Sequence, residues 1–159
     1  MSTATATAHA KQNPIGFTPA PRSRKRLPPR WGRRVVLLIE DDGEMCRMLA
    51  GALRRDGYRV VEAADGDDAL DRLGPWALEG NLEFAPDLIV SDIRLPYFSG
   101  LEILEGIQIA ADVVPVILIT GFPDQETLSK ARELGAECVL SKPFDLGDFR
   151  AAVRSALAP

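Results

Sequence analysis

Five short stretches that read as strands punctuate the chain, four of them apolar runs and one, Tyr58 to Val61, interrupted by Arg59, and each is followed by polar or turn-forming residues. Val35 to Ile39 is an unbroken run of Val, Leu and Ile that stops at Glu40-Asp41-Asp42-Gly43. Tyr58 to Val61 is the second, and Leu88 to Val90 the third, running into Asp92 and halted by Pro96. Val114 to Ile119, with Pro115 near its start, is the fourth and ends in Thr120-Gly121. Cys138 to Leu140 is the fifth and ends in Ser141-Lys142-Pro143. Continuous apolar runs bounded by turn residues predict strands buried on both faces, as in a parallel sheet.

Between the runs the period changes. Met45, Met48, Leu49, Ala52 and Leu53 recur at helical spacing, with Gly57 as a stop. Asp65-Gly66 turns into Ala69, Leu70 and Leu73, a short amphipathic helix. Further helices are expected over Leu101 to Ile109, from the cap Asp124 through Leu134 to the stop Gly135, and from Phe144-Asp145 to about Leu157. The stretch Gly74 to Pro86, carrying Pro75, Trp76, Leu78, Leu82 and Phe84, is longer than a helix-to-strand connection needs. It either extends the core or presents a partner surface. The order is (βα)5. Right-handed crossovers then require an α/β fold, a doubly wound parallel five-stranded sheet with helices on both faces.

Composition changes this picture only at the N-terminus. The 159 residues are 46% apolar, ordinary for a globular protein. The net charge of −4 conceals an asymmetry. Residues 1–34 hold eight cations and no acid, so the remaining 11 cations face all 23 acids and the body carries −12. Residues 1–33, rich in Ala, Thr, Pro and Arg, are expected to form a disordered basic tail, and residues 34–159 the folded domain. Arg22-Ser23-Arg24-Lys25-Arg26 would attract nucleic acid weakly, or an anionic membrane surface or an acidic partner, or would remain a solvated tail. Cys46 and Cys138, without a CxxC and with His9 the only histidine, argue against a zinc site or disulfide scaffold and read as small core residues. No apolar stretch approaches the ~18 residues of a membrane span, and no signal-peptide core is present. A cytoplasmic protein without membrane insertion is expected.

A sheet of this kind delivers the C-terminal ends of its strands to one rim, where chemistry usually sits. The residues arriving there are Glu40 and Asp41, then Asp92, Thr120 and Lys142. Three carboxylates on one rim repel one another unless a cation sits among them, and an all-oxygen set favours Mg²⁺. A hydroxyl and an ammonium are what the oxygens of a phosphoryl group require. Asp92 can then act as a carboxylate nucleophile forming an acyl phosphate. Each residue also has a plain reading: the acidic triplet as a helix cap, Thr120 as a β-former, Lys142 as a solvated charge. Their arrival at successive strand ends favours the joint reading.

Val-Leu-Leu-Ile-Glu-Asp-Asp, Ser-Asp-Ile-Arg-Leu-Pro around Asp92, Ile119-Thr120-Gly121 and Lys142-Pro143-Phe144 resemble the receiver domain of two-component response regulators. The likeness runs from about Val35 to Leu157 and implies the flavodoxin-like receiver fold. It implies that Asp92 takes a phosphoryl group from a histidine kinase or phosphotransfer protein. It implies Mg²⁺ held directly by Asp41, Asp92 and the backbone carbonyl of Arg94, with Glu40 acting through water. Thr120 and Lys142 would contact the phosphoryl oxygens, Lys142-Pro143 would be cis, and output would leave through the face of the fourth helix, fifth strand and fifth helix. Asp42 matches a variable position. No output domain follows, so a stand-alone receiver, a phosphoacceptor and not a turnover enzyme, is expected.

Three departures stand out. Val139 occupies the place of the usual switch aromatic, three residues before the lysine. Gly121 stands where Ala is common, and Gly74 to Pro86 is longer than usual. With Val139, either output passes through the loop from Thr120 to Asp124 and the following helix, or Val139 is strand packing and the switch is weak. The readings from other classes are a Mg²⁺-dependent aspartyl-phosphate phosphohydrolase and an adaptor acting through its basic tail. The first expects its nucleophile in an Asp-x-Asp after the first strand, where this chain has Glu40-Asp41-Asp42.

Overall fold

Four of the five runs form strands whose side chains are mostly buried on two faces, whereas the edge strand after the first helix is only half-buried, with Arg59 exposed. In the computed structural model, which describes residues 17–19, 32–110 and 114–159, the order is β1 (Val35–Ile39), α1 (Gly43–Arg55), β2 (Arg59–Ala63), α2 (Gly66–Ala77), a 3₁₀ turn (Leu82–Phe84), β3 (Leu88–Asp92), α3 (Gly100–Ala110), β4 (Val116–Thr120), α4 (Gln125–Leu134), β5 (Cys138–Ser141) and α5 (Leu146–Leu157). The strands form one parallel sheet in the order β2-β1-β3-β4-β5.

Alternation splits the core in two. Leu37, Ile39, Ile89, Val116, Leu118 and Val139 face a layer formed by α2, α3 and α4. Val36, Leu38, Leu88, Val90, Ile117, Ile119 and Leu140 face α1 and α5, where Phe149 and Leu53 are fully buried. Aspartates cap α1, α2, α4 and α5 (Asp42, Asp65, Asp124, Asp145), each accepting main-chain N–H groups of the first turn. Gly135 ends α4 at φ +80°, a left-handed conformation that a Cβ would strain. Arg34 ties the start of β1 to the end of α5 through a hydrogen bond to the Leu157 carbonyl at 2.9 Å. Cys46 is buried and Cys138 half-buried, and neither is in a disulfide.

Two elements differ from the sequence expectation. α2 does not stop at Gly74 but continues through Pro75 to Ala77. Pro75 removes one helical hydrogen bond, yet Trp76 beside it is buried in the core, and Leu78 N–H still reaches the Gly74 carbonyl at 2.8 Å. Trp76 therefore extends the core, whereas the Phe84 side chain lies outside the described residues. The second difference concerns the tail. Residues 17–19 are described, and Phe17, only 5% exposed, belongs to the core layer of α3 and α4. The basic run from Arg22 to Arg30 lies outside the described residues.

Candidate functional site

Strand register assembles the rim. Ile39 is level with Ser91, Asp92 with Ile119, and Thr120 with Ser141. The residues at or just beyond those positions, Glu40, Asp92, Thr120 and Lys142, therefore emerge together at the C-terminal edge of neighbouring strands. Main-chain bonds carry the alignment past the strand ends: Ile93 N–H to the Ile119 carbonyl, and Lys142 N–H to the Thr120 carbonyl, both at 2.8 Å. Lys142-Pro143 is a cis peptide.

All six site residues expected from the sequence are found on this rim. Glu40, Asp92 and Thr120 are buried, with exposures of 2%, 5% and 2%, while Asp41 faces solvent. Carboxylate oxygens of Glu40, Asp41 and Asp92 lie within 4.8 Å of one another. Asp92 is held at both oxygens: the Arg94 main-chain N–H donates to Oδ1 at 2.9 Å, and Lys142 Nζ donates to Oδ2. The same ammonium lies 3.3 Å from Glu40 Oε2, and Glu40 Oε1 accepts from Asp42 N–H at 3.1 Å. Thr120 Oγ1 accepts the Phe122 N–H at 3.0 Å. Asp42 turns away, its Oδ1 capping α1 through Glu44 and Met45 N–H groups.

The electrostatics match this crowding. Burial, reinforced by the Asp92 charge, pushes the Glu40 carboxyl up to about 7, against the opposing pull of the Asp42 N–H and Lys142. Burial alone would lower Lys142, but its bond to Asp92 and the charges of Asp92 and Glu40 hold it above its ordinary value. Two buried carboxylates and a third nearby share one ammonium, so the cluster retains excess negative charge. An oxygen-only set with one solvent-facing member fits a hard divalent cation that keeps bound water.

The Arg94 side chain and Phe122, to which sequence reasoning gave no role, shape the wall. The Arg94 guanidinium lies over the Phe122 ring at 4.2 Å from its centroid, joining the loop after β3 to the loop after β4. A cleft of about 500 Å³ opens beside them, lined by Asp41, Ile93, Arg94, Leu95, Pro96 and Ser99. Gly100 lies so close to β3 that a Cβ there would stand 2.5 Å from the Asp92 carbonyl oxygen. A Cβ on Gly66 would stand 2.4 Å from the Phe98 carbonyl oxygen. Tyr97 is in the left-handed region at φ +70° and 80% exposed, a strained residue in the same loop. Gly66 was legible only as part of a turn and Gly100 not at all, because no local pattern marks a close approach made only in the fold.

The sequence model of the response regulator receiver domain matches residues 36–154. The chain belongs to this family. Among curated relatives, it is 37% identical over 125 residues to the Regulator of RpoS of Escherichia coli (strain K12), an alignment covering 78% of this chain and 35% of that protein. It is 29% identical over 122 residues to Sporulation initiation phosphotransferase F of Bacillus subtilis (strain 168), covering 77% of this chain and 92% of that one. The receiver thus spans about a third of the first relative and nearly all of the second. A response regulator receiver domain from Clostridium thermocellum superposes with a TM-score of 0.68 at 26% identity, covering 78% of this chain and 94% of that one. Among the described residues, no helix is long and apolar enough to cross a membrane.

Proposed function

We propose that this receiver is the phosphoacceptor of a two-component relay, taking a phosphoryl group from the phosphohistidine of a kinase or phosphotransfer protein onto Asp92. The observation that carries the reading is Asp92 itself: a buried carboxylate held at both oxygens, beside an ammonium and two further carboxylates. A structural aspartate needs no second and third acid beside it, since their repulsion only destabilises the fold.

An Asp92 oxygen attacks phosphorus, the phosphorus–nitrogen bond breaks, and the histidine nitrogen leaves with that electron pair and takes a proton. The Arg94 N–H fixes the carboxylate plane for in-line approach. Lys142 gives up its bond to Asp92 and pairs with a phosphoryl oxygen, and the Thr120 hydroxyl donates to another. Asp41, Asp92 and the Arg94 carbonyl would hold Mg²⁺, with Glu40 acting through water. When bound, the ion neutralises the carboxylates and draws charge from the transferring oxygens. Output follows by protein–protein contact on the face of α4, β5 and α5. The cycle closes by loss of the phosphoryl group to water rather than by turnover of a substrate.

The reading is tested with a panel of histidine kinases carrying radiolabelled phosphohistidine. Label should move to this chain from at least one donor, only with a divalent cation present, and not to Asp92→Asn. Transfer to Asp92→Asn at the unmodified rate would refute it.

A further inference from the structure

The side of α4 holds something no receiver chemistry requires. Phe17 sits 5% exposed in the same core layer as Ile107, Leu128 and Leu134. Arg132, from the last turn of α4, closes over it. Its guanidinium lies 5.5 Å from the ring centroid, and its Nε donates to the Thr18 carbonyl at 2.9 Å. One arginine thus recognises both an aromatic ring and the carbonyl of the residue after it. That two-point arrangement reads a short peptide rather than packing an isolated side chain.

We propose that this surface of α4 is a docking site for a peptide segment with an aromatic anchor and basic flanks, and that Phe17–Pro19 occupies it in cis as a displaceable strap. Charge supports the basic flanks: the body from residue 35 onward carries −12, and Arg22, Arg24, Lys25 and Arg26 follow the strap closely. Reach supports the cis arrangement. Residues 20–33 can extend roughly 45 Å, whereas β1 and the β4–β5 edge are two or three strand spacings apart, about 10–15 Å. Such a tether holds the strap at a millimolar effective concentration, enough to exclude a weak competitor. Among the described residues the hold is one buried ring, one hydrogen bond and one cation–π contact, which oppose the ordering of the segment, so a partner with a better anchor displaces it. α4 begins five residues after Thr120, so the strap lies on the helix into which the site's own loop leads. The inference rests on no assumption about the chemistry of Asp92.

The experiment titrates a fluorescent peptide of residues 14–26 into the full chain and into its Phe17→Ala variant, by anisotropy. The variant should bind at least about ten-fold more tightly than the unmodified chain, because its pocket is empty. A peptide with Ala in place of Phe17 should bind neither. Amide hydrogen exchange across residues 128–134 should be faster in the variant and slow again when the peptide is added. Should Phe17→Ala fail to fold, Arg132→Gln serves instead: the strap is loosened with the ring intact, exchange across α4 rises, and a trypsin cut after Arg22 comes sooner. Equal peptide binding by both chains, no binding by the variant, or α4 exchange unchanged by both substitutions would overturn the proposal. A dimer that dissociates in the Phe17→Ala variant would overturn the cis assignment.

Discussion

Lys142 and Asp92 are joined side chain to side chain, and the same ammonium lies 3.3 Å from Glu40. One cation therefore stands between two buried carboxylates, on the side of Asp92 away from the Arg94 N–H. That relationship makes Lys142 both the counter-ion of the resting site and a competitor for any other cation.

Replacing Lys142 with Ala should separate the two roles. Labelling of Asp92 by acetyl phosphate should fall by at least about 100-fold, the usual loss when one preorganised partner of a transferring group is removed. Mg²⁺ affinity, measured by calorimetry, should rise, because among the described residues the carboxylates of Asp92 and Glu40 then lose the cation paired with them. A variant with lower Mg²⁺ affinity would contradict this division.

Asp41 is the solvent-facing member of the triad. Asp41→Ala removes a ligand and leaves no cavity, so Mg²⁺ binding should weaken and phosphotransfer slow while the melting temperature is retained. Equal Mg²⁺ affinity in the variant would remove Asp41 from the site.

Val139 is fully buried in the layer facing α4 and has no ring to turn. On the proposed reading, the response to phosphorylation starts elsewhere, at Thr120, and the alternative is a weak switch with Val139 as strand packing. Its Oγ1 accepts the Phe122 N–H at 3.0 Å, and Phe122 lies under Arg94 at 4.2 Å. A Thr120 hydroxyl that turns to a phosphoryl oxygen strains or breaks that bond. Adding beryllofluoride as a phosphoryl mimic should shift amide resonances over residues 120–134, and Phe122→Ala should reduce the shifts within α4. Changes confined to the immediate neighbours of Asp92 would rule out this route. Val139→Tyr overpacks a full core and should destabilise by about 1–3 kcal/mol rather than restore a switch.

Gly100→Ala would drive a Cβ to 2.5 Å from the Asp92 carbonyl oxygen and 3.0 Å from Ser91 Oγ. Both neighbours belong to the acceptor strand, so β3 and α3 must separate. Stability should fall by about 1–3 kcal/mol, with labelling reduced in the folded fraction. Gly51→Ala, in the middle of α1 with open space around the new methyl, should stabilise by about 0.5–1 kcal/mol. Chemical denaturation of the two variants gives the comparison.

Asp56, at the C-terminal cap of α1, is bonded by Arg150 of α5, with Nε at 2.7 Å from Oδ2. That bond holds its carboxyl below the usual range. A lowered acid stabilises the fold fully above its unfolded value of about 3.9 and loses that contribution as pH falls through the folded value. Asp56→Asn should therefore melt lower than the unmodified chain at neutral pH, with the gap closing below about pH 4. A gap that widened on acidification would reverse the sign and contradict the pairing.

The sheet was legible because five short runs rich in Val, Leu and Ile are each followed by polar residues, and the site because four of those ends carry Glu40, Asp92, Thr120 and Lys142. Register then did what pattern alone cannot show, bringing the Lys142 ammonium between two carboxylates. The helix α2 runs past Leu73, its last periodic residue in the sequence, because the burial of Trp76 outweighs the hydrogen bond lost at Pro75. Phe17 escaped because a single aromatic among Pro, Thr and Ala has no period, and only the folded surface of α4 gives it a place. The pair Arg94 and Phe122 lay hidden for a related reason: two loops meet there only after β3 and β4 are side by side.

The phosphoacceptor assignment is most directly tested by intact mass spectrometry after incubation with acetyl phosphate and Mg²⁺. The account predicts one added phosphoryl group, mapped to Asp92 after borohydride trapping, removed by hydroxylamine, lost when the metal is chelated beforehand and absent from Asp92→Asn. A phosphoryl group that persists on Asp92→Asn at the same level, or that maps to a serine or threonine, would contradict it.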